Sequence, residues 1–345
     1  MNKRIPMPMP FGWFCIGYAD ELAVGEVRTV HYFNREMVLF RAEDGSVGLT
    51  DPFCPHLGAH LGHGGEVVGN SIRCPFHHWS YDVQGNITDV PYAKRIPPKA
   101  EKGPCLKTYS VQEKNMAIWA WYHPDDDEPK FDVQEHSQLS DPLWSALARH
   151  QWEFNSHPQE IAENGVDTAH FKYIHNQENV PEGETSYDGI QRNSNVFVTR
   201  VEVDEDGQEY QRDSITAVTQ YGSGQKWVDY RGDIDYLLMV LVTPITDERV
   251  ELRFAISHRI YPQGSHQERL CRESIERHLV HGGVVTDIPI WDKKVHLREP
   301  LLCDGDGPIM QFRKYFAQFY AEGPYGDEVS SSTDSISPVS LVSGG

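Results

Sequence analysis

No stretch of the 345-residue sequence approaches the uninterrupted apolar run needed to span a bilayer, so a membrane-spanning segment is not expected. The first ten residues carry Lys3 and Arg4 but neither an apolar segment nor a small-residue cleavage pattern, and export is not expected either. Basic residues are scarce: 31 Lys and Arg stand against 51 Asp and Glu, a formal net charge of -20. Such a balance excludes nucleic acid as a partner, because phosphate backbones demand clustered cations; it serves solubility or the selection of a complementary protein. The six cysteines (Cys15, Cys54, Cys74, Cys105, Cys271, Cys303) are too scattered for a disulfide framework and fit a cytoplasmic protein with free thiols and a metal site. No dinucleotide fingerprint of the G-x-G-x-x-G type occurs, so NADH or NADPH has no evident binding place. No internal repeat is visible.

The length suffices for two separate cores. Short β-rich runs at residues 29–33, 37–41 and 46–50, with a turn at Asp44-Gly45, predict antiparallel hairpins. Further hairpins are predicted at 66–68 with 71–73, closed by Gly69-Asn70, and around Gln84-Gly85-Asn86; residues 107–122 supply closing strands. The acidic run Asp125 to Glu128, bracketed by Pro124 and Pro129, marks a linker. The expected organisation is a β domain at 1–125, a linker at 126–149, a second domain at 150–325 and a disordered Ser-rich tail at 326–345. In the second domain a polar entry strand near 150 precedes a helix over 158–175. Strands follow at 195–203, 210–221, 225–230, 236–244 and 249–261, then helical segments at 267–279, continuing brokenly to 296, and at 309–320. The predicted class is α+β: an antiparallel β domain, then a twisted antiparallel sheet around a helix, the helix-grip arrangement.

Cys54-Pro55-His56 and Cys74-Pro75-Phe76-His77 form a C-x-H and C-x-x-H pair, each at a predicted hairpin tip. Two thiolates and two imidazoles could hold tetrahedral zinc. They could equally hold a [2Fe-2S] cluster with cysteines on one iron and histidines on the other. The proline after each cysteine, the glycines Gly58, Gly62, Gly64 and Gly65, and the run Trp79-Ser80-Tyr81-Asp82 resemble the two loops of the Rieske family. His60, His63 and His78 fall outside the paired spacing and are expected at the surface or supporting the ligands. Respiratory Rieske proteins carry an extra cysteine in each loop; Ala59 and Phe76 stand there in this chain, which points to the lower-potential Rieske ferredoxins and oxygenases.

The segment Glu163-Asn164-x-x-Asp167-x-x-His170-x-x-x-x-His175 places two imidazoles slightly more than one helical turn apart, able to share an ion if the helix loosens between them. A carboxylate would complete the facial triad that suits Fe(II). Asp287 and Asp292 are the candidates, and helical periodicity does not separate them; Asp287 could instead cap a helix N-terminus ahead of Pro289. The combination resembles the α-subunit of Rieske non-haem iron oxygenases over residues 10–325, matching that family's motif at Asn164, Asp167, His170 and His175. The resemblance selects Asp287, in an Asp-x-x-x-Trp setting, as the third ligand. It also implies that Asp167 bridges a ligand of the mononuclear iron to a Rieske histidine of a neighbouring subunit, matching His77, within a homotrimer. A carboxylate at Asp167 can also accept a hydrogen bond from the non-ligating ring nitrogen of His170 and fix its tautomer.

The resemblance implies a terminal oxygenase that receives electrons from NAD(P)H through a separate reductase, with or without a ferredoxin, and uses O2 to hydroxylate a hydrophobic ring substrate. The runs Val166 to His175 and Asp287 to Tyr320 are similar to the 3-ketosteroid 9α-hydroxylase oxygenases, which implies a steroid-like substrate; a smaller aromatic or heterocycle is the alternative. A Rieske electron carrier would account for the first constellation and leave the second domain without a purpose.

Overall fold

The computed structural model describes residues 4–98, 100–175, 180, 183–203 and 208–325. It divides into two units: residues 12–135 with 244–246, and the rest. The tail 326–345 lies outside the described residues. No helix among the described residues is long and apolar enough to cross a membrane.

The first unit is antiparallel β: β1 (Gly12–Tyr18), β2 (Val27–Tyr32), β3 (Arg35–Arg41), β4 (Val47–Thr50), β5 (Glu66–Val68), β6 (Ser71–Arg73), β7 (Ser80–Asp82), β8 (Ile87–Asp89), β9 (Val111–Lys114) and β10 (Ala117–Tyr122). Three sheets result, ordered β1-β10-β9, β2-β3-β4 and β5-β6-β7-β8. The predicted hairpins are present. Strand β1 was not predicted, because all seven of its residues are buried and it lacks the alternation of a half-exposed strand. Val38, Phe40, Leu61, Ile72, Tyr81 and Leu106 build a core that includes Cys54 and Cys74, so both cysteines sit on a rigid base.

The second unit holds β11 (Ala148–Phe154), α1 (Pro158–Glu163), α2 (Ala169–Tyr173), β12 (Gly183–Asp188), β13 (Gln191–Val203), β14 (Glu209–Tyr221), β15 (Gln225–Arg231), β16 (Tyr236–Thr246), β17 (Arg249–His258), α3 (His266–Glu276), α4 (Val284–Trp291) and α5 (Ile309–Phe316). One seven-stranded sheet runs β11-β17-β16-β15-β14-β13-β12. Tyr236, Leu238, Val240 and Val242 alternate onto the face they share with Val250, Leu252, Phe254 and Ile256, and Cys271, Val284 and Trp291 pack there. A second core joins Ile5 and Met7 to Ala162, Val166, Phe312 and Phe316.

Three expectations change. Residues 4–11 belong with the second unit rather than the β domain, since Ile5 and Met7 fill its core and the Phe11 N–H donates to the Phe319 carbonyl at 2.8 Å. The stretch 126–149 is divided rather than free: the Phe131 and Gln134 carbonyls accept from Trp13 Nε1 at 2.5 Å and Asn115 Nδ2 at 2.7 Å, while Gln138 Nε2 donates to Asp229 at 3.0 Å in the second unit. The helix predicted over 158–175 is broken into α1 and α2. Gly165 lies in the break, its carbonyl taken by Arg192 Nη1 at 3.0 Å.

Candidate metal centres

Cys54 and Cys74 open two loops with the same backbone ties. Each cysteine carbonyl accepts from the N–H four residues on, Gly58 at 2.9 Å and His78 at 3.1 Å. Each cysteine N–H donates to the carbonyl five residues on, Ala59 at 2.9 Å and Trp79 at 2.8 Å. Gly58 and His78 occupy the same left-handed position, with φ of 76° and 60°. Between the loops the His56 and His77 rings lie 4.8 Å apart, and His56 stacks on Trp79 at 4.4 Å. His77 Nδ1 is buried and meets no hydrogen-bond partner among the described residues. The Tyr81 hydroxyl lies 3.2 Å from Cys54 Sγ, and burial pushes the Cys54 thiol above its ordinary value. Two buried sulfurs, of which Cys54 resists ionising, and an orphaned imidazole nitrogen are donors that a metal group would satisfy, because coordination stabilises thiolate and consumes the lone pair. The residues fit the cluster.

His60 is engaged elsewhere: Nδ1 accepts from the Gly62 N–H at 3.0 Å, leaving Nε2 to donate to Glu36 at 2.5 Å. His63 and His78 are exposed.

In the second unit, α2, the turn after it and α4 bring His170, His175 and Asp287 together, with one donor atom from each lying within 4.8 Å of the others. His175 Nε2 is 3.4 Å from Asp287 Oδ2. Asp287 is buried on the fourth residue of α4, whose N-cap is Gly283, so it is not a cap. Asp292 is committed elsewhere, accepting from Asn155 N at 2.8 Å and Nδ2 at 2.9 Å and pairing with Lys293 at 2.6 Å. Those bonds hold its carboxyl down at about 2, the Lys293 contact contributing most.

The imidazole tautomers follow from the outer bonds. His170 Nδ1 meets the Asp167 backbone carbonyl, which can only accept, so Nδ1 carries the proton and Nε2 keeps its lone pair. The expected contact with the Asp167 carboxylate is not formed; Oδ1 accepts from the His170 backbone N–H at 3.3 Å instead, as suits the first turn of a short helix. Thr286 Oγ1 donates to the Gly283 carbonyl at 2.8 Å and lies 3.4 Å from His175 Nδ1, whose proton it can accept. Asn164 Nδ2 stands 3.1 Å from His170 Nε2.

The scaffold of this site was only partly legible. Glu163 makes a two-pronged ion pair with Arg313 of α5, at 2.7 and 3.0 Å. Lys226 Nζ donates to the Ile161 carbonyl at 3.4 Å, and with Arg192 it holds the C-terminal end of α1 and the turn after it. A Cβ on Gly307 would lie 2.2 Å from the Val166 carbonyl, so only glycine fits beside the segment bearing His170. Gly307 lies in the run Asp287 to Tyr320 and Thr286 stands next to it, whereas Arg192 and Lys226 carry no sequence signal.

Residues 12–110 match the Rieske [2Fe-2S] domain and residues 120–320 the 3-ketosteroid 9alpha-hydroxylase C-terminal domain. The chain belongs to the Rieske oxygenases of the 3-ketosteroid 9α-hydroxylase family. This Rieske oxygenase is 31% identical to a probable 3-ketosteroid-9-alpha-monooxygenase oxygenase component of Rhodococcus rhodochrous, over 90% of this chain and 80% of that one. It is 28% identical to cholesterol 7-desaturase nvd of Bombyx mori, over 93% and 72%. The crystal structure of dicamba monooxygenase bound to dicamba superposes with a TM-score of 0.67 at 16% identity, covering 89% of this chain and 96% of that one, a likeness of fold. The Rieske oxygenase is thus an oxidoreductase, the oxygenase component of a monooxygenase system.

Proposed function

We propose that Cys54 and Cys74 bind one iron of the [2Fe-2S] cluster and His56 and His77 the other, and that His170, His175 and Asp287 hold a mononuclear Fe(II). The convergence of those three donor atoms within 4.8 Å carries the second assignment. When bound, the two groups supply one-electron delivery and oxygen activation. The chain's own part is preparation. The Asp167 carbonyl and the Thr286 hydroxyl accept the Nδ1 protons and so leave each Nε2 lone pair for the metal, and Asn164 offers an amide donor beside His170. Tyr236, Leu238, Phe254 and Val284 belong to the core that packs Val285 and Ile288 beside Asp287, which keeps the neighbourhood of the site apolar.

The substrate in this reading is a steroid-like polycycle that becomes hydroxylated. Similarity over nine-tenths of the chain to a 3-ketosteroid monooxygenase component, together with similarity to a cholesterol desaturase, supports it. Electrons come from NAD(P)H through a separate reductase, with or without a ferredoxin, and the protein works in the cytoplasm. In the homotrimer implied by the resemblance, Asp167 links His170 to His77 of the partner subunit. Turnover of steroid ketones and of simple aromatics with a surrogate reductase tests the substrate class: hydroxylated steroid is expected, and turnover confined to simple aromatics would refute it.

A further inference from the structure

Between α3 and α4 the chain makes a π-helical stretch, Arg277–His281, followed by Gly282 and Gly283. A π-turn inserts an extra residue into a helix and redirects side chains, and such turns concentrate at functional sites. Here it turns His278 onto the apolar face of the sheet. Its ring lies 5.6 Å from that of Tyr236 and 6.3 Å from that of Phe254, both members of the core beside the triad. His175 is near enough to act on it electrostatically. His278 Nε2 is buried and hydrogen-bonds to nothing among the described residues. Gly283 closes on the opposite nitrogen, where a Cβ would lie 3.0 Å from Nδ1. Buried polar atoms are paired in nearly all native interiors, so an orphan in the core beside the triad asks for a partner from outside.

We propose that His278 Nε2 is the hydrogen-bonding anchor for a keto or hydroxyl oxygen on an otherwise apolar ring substrate, and so a specificity-determining residue. This rests on the oxygenase reading and deepens its substrate class. Burial pushes the imidazole down to about 4, so it is neutral at pH 7 and can present Nε2 as donor to a carbonyl or as partner to a hydroxyl. The neighbouring walls are apolar, so one polar contact fixes which ring edge faces the triad.

The test is equilibrium binding to the purified holoprotein of two ligand pairs: a 3-ketosteroid with its 3-deoxy analogue, and a bicyclic aromatic ketone with its deoxy analogue. Wild type is expected to favour ketone over deoxy partner by about 10-fold, the scale of one well-made hydrogen bond. His278→Phe should remove the preference and leave deoxy binding unchanged, and His278→Gln should restore part of it, all with the wild-type visible spectrum. If the preference is absent in wild type or survives in His278→Phe, the assignment is overturned. If only the bicyclic pair binds, with the same dependence on His278, the anchor stands and the steroid reading falls. If neither pair binds, both fall.

Discussion

His175 Nε2 and Asp287 Oδ2 approach to 3.4 Å, although one follows α2 and the other lies inside α4. Asp287 thereby has a role that Asp292 lacks. Asp287→Ala is expected to lose the iron in excess of labile sulfide while keeping the visible spectrum of the cluster. Asp292→Asn should keep that iron, since its side chain serves Asn155, and should shift stability by less than about 1 kcal/mol. Iron and sulfide assays on the two variants check both outcomes.

The Thr286 hydroxyl orients the second imidazole through His175 Nδ1. Thr286→Val keeps shape and removes the acceptor. Iron at this site should then be held about 10–100-fold less tightly, the usual effect of deleting an outer partner of a ligating histidine. Iron retention during titration with a chelator measures it, and retention equal to wild type would rule out the orienting role.

Arg313 and Glu163 form a nearly buried pair that ties α5 to the end of α1. Removing one partner strands the other in a poorly solvated place. Arg313→Ala is expected to cost about 3 kcal/mol in urea unfolding of the second unit.

His157 caps α1: Nδ1 accepts from the Gln159 N–H at 3.2 Å while Nε2 donates to the Pro8 carbonyl at 3.0 Å. Burial pushes this imidazole down from 6.5 to about 4, so the folded protein keeps it neutral where the unfolded chain takes up a proton. Its stabilising contribution is complete above about pH 6.5 and is lost as the pH falls toward 4. Asparagine also caps helices and does not titrate. Urea midpoints measured between pH 7 and pH 5 should therefore fall less steeply for His157→Asn than for wild type.

The cluster loops were legible because proline, glycine and ligand spacing are local, and β16 and β17 because their apolar runs are long; β12 was not predicted, since Gly183–Asp188 is short and polar. The break between α1 and α2 was not, since a carbonyl bond from Arg192, on a distant strand, holds the turn containing Gly165. Periodicity could not separate Asp287 from Asp292, since the difference lies in Asn155, which claims Asp292 from across the fold. The Asp167 contact was misjudged in its atom: a short helix start turns the side chain toward the His170 backbone N–H and leaves the carbonyl to the ring. Residues 4–11 gave no sign that they would fill a core more than three hundred residues away in sequence, because Ile5 and Met7 are too few to form a pattern.

The central claim is that one chain holds two different iron sites. Iron, zinc and acid-labile sulfide measured on the purified protein and on His170→Ala test it most directly. The account predicts about three irons per two sulfides in wild type, with zinc absent, and about two irons with an unchanged visible spectrum in the variant. Zinc in place of iron and sulfide, or equal iron in wild type and variant, would contradict it.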